Sequence, residues 1–126
     1  MIMARIVQSP TIVQSAGKGK KLIEEYFGKV STSQKDISIA VMTADEGWEE
    51  PGQIAQFNEY VYVISGTVFI RTKKSDFIVK PKQAILIDKG EWVQFSTPFK
   101  YGANYIAICT PAFQPKLVKR DGEGKK

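Results

Sequence analysis

The 126-residue sequence contains no histidine at all. That absence removes the commonest general acid/base and the commonest metal ligand among the side chains. Ser-His-Asp and Cys-His catalysis within one chain is excluded, as is a zinc site built from cysteine and histidine. There is a single cysteine, Cys109, so no intramolecular disulfide can form. Such usage fits a reducing compartment, and a cytoplasmic location is expected. No run of apolar residues approaches the ~20 needed to span a bilayer. The start, "MIMARIVQSP", lacks the apolar core and small-residue cleavage site of a signal peptide, and no membrane partner is expected.

What is present is ordinary for one globular domain: 43% apolar residues, 25% charged and a net charge of +5. Much of the positive excess lies near the ends, at Lys18, Lys20 and Lys21 and again at Lys116, Lys119, Arg120, Lys125 and Lys126. Runs of this kind are normally solvated. The middle of the chain carries no basic stripe interleaved with aromatics, so no nucleic-acid partner is expected. "GKGK" at 17–20 lacks the G-x4-G-K-[ST] spacing of a phosphate-binding loop.

Residues 1–20 read as an N-terminal arm with short apolar pairs, Ile6-Val7 and Ile12-Val13. "KLIEEYFGKV" at 21–30 suits a helical turn or a strand equally well. From residue 36 the pattern is strand after strand: "DISIAVMT", then 58–64, 67–72, 76–80, 84–88, 92–97 and 103–110. Ser65-Gly66, "KKS" and "KGE" serve as turns, and "ADEGWEEPGQ" as a loop. Strands at intervals of roughly 8–12 residues predict an all-β sandwich or barrel. The barrel is expected over 21–115, with 116–126 a basic, disordered tail.

Two central segments carry a family resemblance. "GQIAQFNEYVYVISG" runs from Gly52 through Glu59 to Gly66, with six residues between the last two. "KPKQAILIDKGEWVQF" places Gly90 at the turn between two strands. Both resemble the paired motifs of the cupin superfamily, and the likeness extends from Ile37 to Pro111. The chain looks most like small single-domain bacterial cupins and the cupin domain of the ethanolamine-utilisation Q protein, through "WEEPGQIAQFNEYVYVISG", "GEWVQFSTPF" and "YIAICTPAF". The resemblance implies a jelly-roll barrel, the double-stranded β-helix. The family's metal ligands are three histidines and a glutamate. Carried over, the histidine positions fall on Gln53, Ala55 and Val93, and only Glu59 is retained. Amide, methyl and isopropyl groups do not replace imidazoles around a transition metal, so no metal and no cofactor are expected.

Glu59 alternates in phase with Val61 and Val63, so the face that buries the valines also holds a carboxylate. Gln53, Ala55 and Phe57 share that inward side, and in the second motif Val93, Phe95 and Glu91 do. No lysine or arginine occupies an inward position in these two segments. Three roles for Glu59 stay open. It is a structural remnant hydrogen-bonded by Gln53, a tyrosine or water; or the polar contact for a small organic ligand; or a general acid/base of a metal-independent isomerase or lyase, its pKa raised by burial. A closed barrel with a structural or regulatory role is the remaining alternative. Metal-free cupin epimerases rely on a histidine base, absent here, and Tyr60 and Tyr62 alternate outward. Tyr105 fits either face. Trp48 either packs at the rim or caps a ligand pocket, Trp92 is expected on the outside, and Cys109 as an inert buried thiol. The resemblance also implies a homodimer, with the N-terminal arm added to a partner's sheet edge and Tyr60 and Tyr62 at the interface.

Overall fold

The computed structural model describes residues 3–123. Alternation decides the architecture. Along most strands one residue in two is apolar or small, so each strand has an inner and an outer face, and two sheets close over the inner ones. Twelve strands form in chain order: β1 (Thr11–Val13), β2 (Lys21–Phe27), β3 (Ser38–Ala44), β4 (Trp48–Glu49), β5 (Gln53–Ala55), β6 (Asn58–Gly66), β7 (Val68–Thr72), β8 (Asp76–Val79), β9 (Ala84–Ile87), β10 (Trp92–Thr97), β11 (Ala103–Thr110) and β12 (Val118–Arg120). One sheet has the order β1-β2-β3-β11-β6-β9; the other has β12-β5-β10-β7-β8, with β4 paired to β10. The strand pairs are antiparallel, and no α-helix occurs among the described residues. The expected all-β jelly-roll barrel is the fold observed.

β10 and β11 match their expected bounds, and β3, β8 and β9 fall within a residue or two of theirs. The ambiguous segment 21–30 is a strand because it has neighbours on both sides, β1 at one edge and β3 at the other. Those ladders satisfy its backbone groups, which a lone ten-residue helix cannot do as cheaply. The presumed loop before Gln53 contains the short strand β4. The expected turn at Ser65-Gly66 is tighter still, since β6 runs through Gly66 and Thr67 alone separates it from β7.

Both chain ends differ from the loose segments expected of them. In the N-terminal arm, β1 adds to its own chain's sheet through Thr11↔Glu25 and Val13↔Ile23, and Lys18 bridges to Glu49. The tail continues in a single 3-10 turn at Pro115–Leu117 and then β12, which pairs with β5. Val118 is buried there, and the indole N–H of Trp92 donates to the Asp121 carboxylate at 3.1 Å. Charge counting read 116–126 as solvated, but one buried valine and a three-residue ladder dock it as far as Arg120. Residues 124–126 of that tail lie outside the described part.

The interior fills unevenly. Val61, Val63, Val68, Ile70, Val79, Ile87, Val93, Phe95 and Tyr105 form the larger apolar core. Ala55, Phe57, Cys109 and Val118 form a smaller one, flanked by Phe113 and Leu117. Each fully buried aliphatic side chain contributes roughly 1.5–3 kcal/mol, so the larger cluster anchors the barrel. Gly66 closes β6 with φ +73, and a Cβ there would stand 2.0 Å from the carbonyl oxygen of Gly102. Both the backbone angle and this contact require glycine. Gly66→Ala is expected to lower stability by roughly 3 kcal/mol or more. Urea denaturation of the purified variant checks this; an unchanged midpoint would show that the β6–β11 approach relaxes freely.

Candidate functional site

β6 carries the inward row Glu59, Val61 and Val63 while Tyr60 and Tyr62 point out, 42% and 43% exposed. Val61 and Val63 are sealed in the larger core, but Glu59, two residues earlier, opens on a cavity between the two apolar clusters. The cavity measures about 80 Å³. Its walls include Glu50 from the loop after β4, Gln53 of β5, Phe57, Lys21 of β2, Trp48 of β4 and Arg120 of β12. Lys21, Glu50, Glu59 and Arg120 thus converge from four different parts of the chain, and Glu25 and Cys109 line the same space.

Their pairing is incomplete. Among the described residues, the only ion pair within 4 Å joins Arg120 to Glu123, at 3.8 Å. The Arg120 Nε is buried without a hydrogen-bond partner. The Lys21 ammonium lies over aromatic faces instead, 3.8 Å from the ring centre of Trp48 and 5.2 Å from that of Tyr105. Glu50 accepts from the backbone N–H of Phe95 at 3.4 Å. The Tyr105 hydroxyl is also buried without a partner, its ring stacked on Phe95. Buried polar groups are normally satisfied, and the orphan Nε of a cavity-lining arginine marks a wall suited to something polar.

Burial moves the protonation equilibria. Desolvation pushes Glu59 from its ordinary 4.5 up to about 7, against the pull of Lys21. Glu50 rises to about 7 for the same reason, with Lys21 opposing and Glu59 adding to the shift. Lys21 is lowered by desolvation, which outweighs the attraction of the two glutamates. By exposure all three are only half-buried, yet they shift as desolvated groups. Cys109 also lines the cavity, and burial pushes its thiol upward, which leaves it a poor nucleophile.

The residues expected at the site divide into two groups. Gln53, Phe57, Glu59 and Trp48 line the cavity. Ala55, Val61, Val93 and Phe95 do not: the first packs in the smaller core and the others in the larger one. Glu91 is exposed, outside the barrel mouth where its phase had placed it, because β10 begins only at Trp92. Trp48 is both packed and cavity-lining, 1% exposed, with its indole N–H donating to the Ala16 carbonyl. Sequence reading missed Lys21, Glu50 and Arg120. Lys21 alternates with Ile23, which is a signal, but only once β2 is known to be a strand. A buried carboxylate at Glu25, 2% exposed, also went unseen. It accepts from the backbone N–H groups of Val30 and Ser31 and from the Ser31 hydroxyl, tying down the loop after β2.

A transition metal does not fit the residues present. Of the family's four ligand positions, Ala55 and Val93 are methyl and isopropyl groups inside apolar clusters. Among the described residues no three cysteine, aspartate or glutamate side chains are grouped to hold an ion.

The raised glutamate pKa values make a stability prediction. Below pH 4.5 the groups are protonated in folded and unfolded chains alike, and they cost nothing. Between 4.5 and about 7 the folded state binds more protons, so these groups lower stability as pH rises. The slope is at most about 1.4 kcal/mol per pH unit for each group. Glu59→Gln should therefore gain stability relative to the wild type between pH 5 and pH 8, by roughly 2–3 kcal/mol. Urea denaturation at the two pH values measures it, and an equal difference at both would mean that Glu59 is well solvated.

Comparison with known proteins fits this architecture. No protein-family model matches the chain. A curated relative, the endoribonuclease YbeY of Myxococcus xanthus, is 33% identical over 98 residues, which is 78% of this chain but 33% of the relative's length. The activity in that name belongs to a protein three times as long as the shared part. Among solved structures, EutQ of Clostridium difficile is 24% identical with a TM-score of 0.59, over 73% of this chain and 63% of that one. The ethanolamine utilization protein Q of Salmonella typhimurium superposes with a TM-score of 0.64 at 17% identity, over 82% and 97%. The polyketide cyclase RemF of Streptomyces resistomycificus reaches 0.76 at 14% identity, over 99% and 89%. At such identities the likeness is one of fold. The chain is a small cupin-fold protein that resembles the EutQ cupins.

Proposed function

We propose that this protein binds a small polar organic molecule in the barrel cavity, without a metal ion, with Glu59 as the central polar contact. One observation carries the reading: Lys21, Glu50, Glu59 and Arg120 surround one confined space, and none of the first three forms an ion pair there. Burying a charge unpaired is expensive, and a core of this size gains nothing from keeping Lys21, Glu50 and Glu59 in this way unless they are used. The rest of the lining mixes apolar and aromatic side chains with a few polar ones, Gln14, Ser38, Gln53 and Glu25 among them, as in small-molecule sites generally. Gln53, Trp48 and Phe57 supply an amide and two ring faces at the same wall. The absence of histidine, and of grouped carboxylate or thiol ligands among the described residues, supports the metal-free reading, and the single free cysteine supports a cytoplasmic one.

A second reading has its own support. Two carboxyl groups that titrate near 7 suit general acid/base work at neutral pH, as a metal-independent isomerase or lyase requires. A thermal-shift screen of small hydroxy acids, polyols and amides, repeated with Glu59→Gln, separates the two. Binding predicts that the variant loses at least about tenfold in affinity, the value of one hydrogen bond to a charged group. An enzyme predicts retained affinity and lost conversion of the hit, followed by proton NMR. Equal affinity and no conversion by either protein would dismiss both.

Assembly as a homodimer is part of the proposal. Tyr60, Tyr62, Ala84, Leu86, Ile106 and Ile108 line a shallow apolar depression on the outer face of β6, β9 and β11. Such a face suits a second copy of the chain, and the exposed Ile6 of the arm, 82% accessible, suits its cover. Size-exclusion chromatography with light scattering is expected to give a dimer at micromolar concentration, and Tyr62→Glu a monomer. A monomeric wild type removes this part.

A further inference from the structure

We infer that Lys21 is a nucleophile, and that the cavity takes a small 2-oxo acid whose carbonyl carbon this amine attacks while Arg120 holds the carboxylate. The inference deepens the small-molecule reading above and rests on it. Two observations independent of one another support it. The Lys21 nitrogen lines the cavity against the ring faces of Trp48 and Tyr105, and among the described residues no carboxylate stands within ion-pairing distance of it. Lysines of this kind, desolvated and beside other charged groups, are those that form Schiff bases. Arg120 is the second. Its Nη1 lies 3.8 Å from the half-exposed Glu123 carboxylate, but its Nε–H is buried with no acceptor, and a planar carboxylate is the group that a guanidinium edge binds best.

The remaining walls supply what the step needs. The amine lone pair adds to the carbonyl carbon, and the C=O π pair moves to oxygen, which takes a proton from a neutral carboxyl group. The nitrogen loses a proton, and the carbinolamine then expels water as the nitrogen lone pair forms the C=N bond. Glu50 and Glu59 both face this space and both hold a proton more readily than ordinary glutamates, so either donates to the leaving hydroxyl and is restored by the proton shed from nitrogen. No oxidant or reductant is required. The volume, about 80 Å³, restricts the partner to a few heavy atoms: a cavity of roughly 150 Å³ is filled by benzene.

The test is reductive trapping. Purified full-length protein is incubated with pyruvate, glyoxylate or acetaldehyde in sodium cyanoborohydride, and the modified lysines are mapped by peptide mass spectrometry. Pyruvate and glyoxylate are expected to label Lys21 ahead of the surface lysines. Lys21→Arg, which keeps the charge, should abolish that label and leave the surface ones. Arg120→Gln should slow pyruvate labelling roughly tenfold, the equivalent of one charge-assisted hydrogen bond, and leave acetaldehyde labelling unchanged. Labelling spread over exposed lysines with Lys21 unmodified overturns the inference. So does thermal stabilisation by pyruvate without an adduct at Lys21, an outcome that leaves small-molecule binding intact. Failure of the binding reading itself shows separately, in the Glu59→Gln screen.

Discussion

Desolvation of a few charged groups inside an otherwise apolar barrel is the constraint around which this molecule is arranged. The larger core of valine, isoleucine, phenylalanine and tyrosine side chains supplies the free energy. Glu50, Glu59, Lys21 and Arg120 draw on it, because each loses hydration that the protein only partly replaces. The glutamates respond by holding protons near neutrality, and the lysine by releasing its proton more easily. A jelly roll that needed only stability would have filled the space with another valine.

The cavity wall depends on both chain ends. β1 and the following residues bring Val13 and Ala16 to one side, with the Ala16 carbonyl fixed by the Trp48 indole. β12 brings Arg120 to the other, held by the β5 ladder and by the contact of Asp121 with Trp92. Short ladders of three residues open more easily than the long β3–β11–β6 centre of the sheet. The segments that complete the cavity wall are therefore among the easiest to open.

Likeness to EutQ and to RemF, spread over most of the chain at low identity, shows how little of this fold is tied to one chemistry. What varies is which side chains occupy the inner rows. At the positions where the cupin resemblance implies metal ligands stand Gln53, Ala55 and Val93, and the last two pack into the apolar clusters.

How much of this was legible in the sequence follows from the range of the interactions. The inward row of β6, with Glu59 beside two valines, was settled by the sequence alone, since side chains alternate with period two whatever the neighbours are. The same holds for β10, and the absence of histidine already excluded an imidazole ligand set, whereas Tyr105 of β11 fitted either face until pairing with β3 and β6 turned it inward. Lys21, Glu50 and Arg120 were not legible, because nothing local separates them from the solvated lysines and glutamates around them. Only the pairing of β2 with β3, of β4 with β10 and of β12 with β5 turns them inward, and those ladders join residues far apart in the chain. Periodicity assigns a face to each strand; which faces meet, and so which charges share one cavity, is decided by register between distant segments.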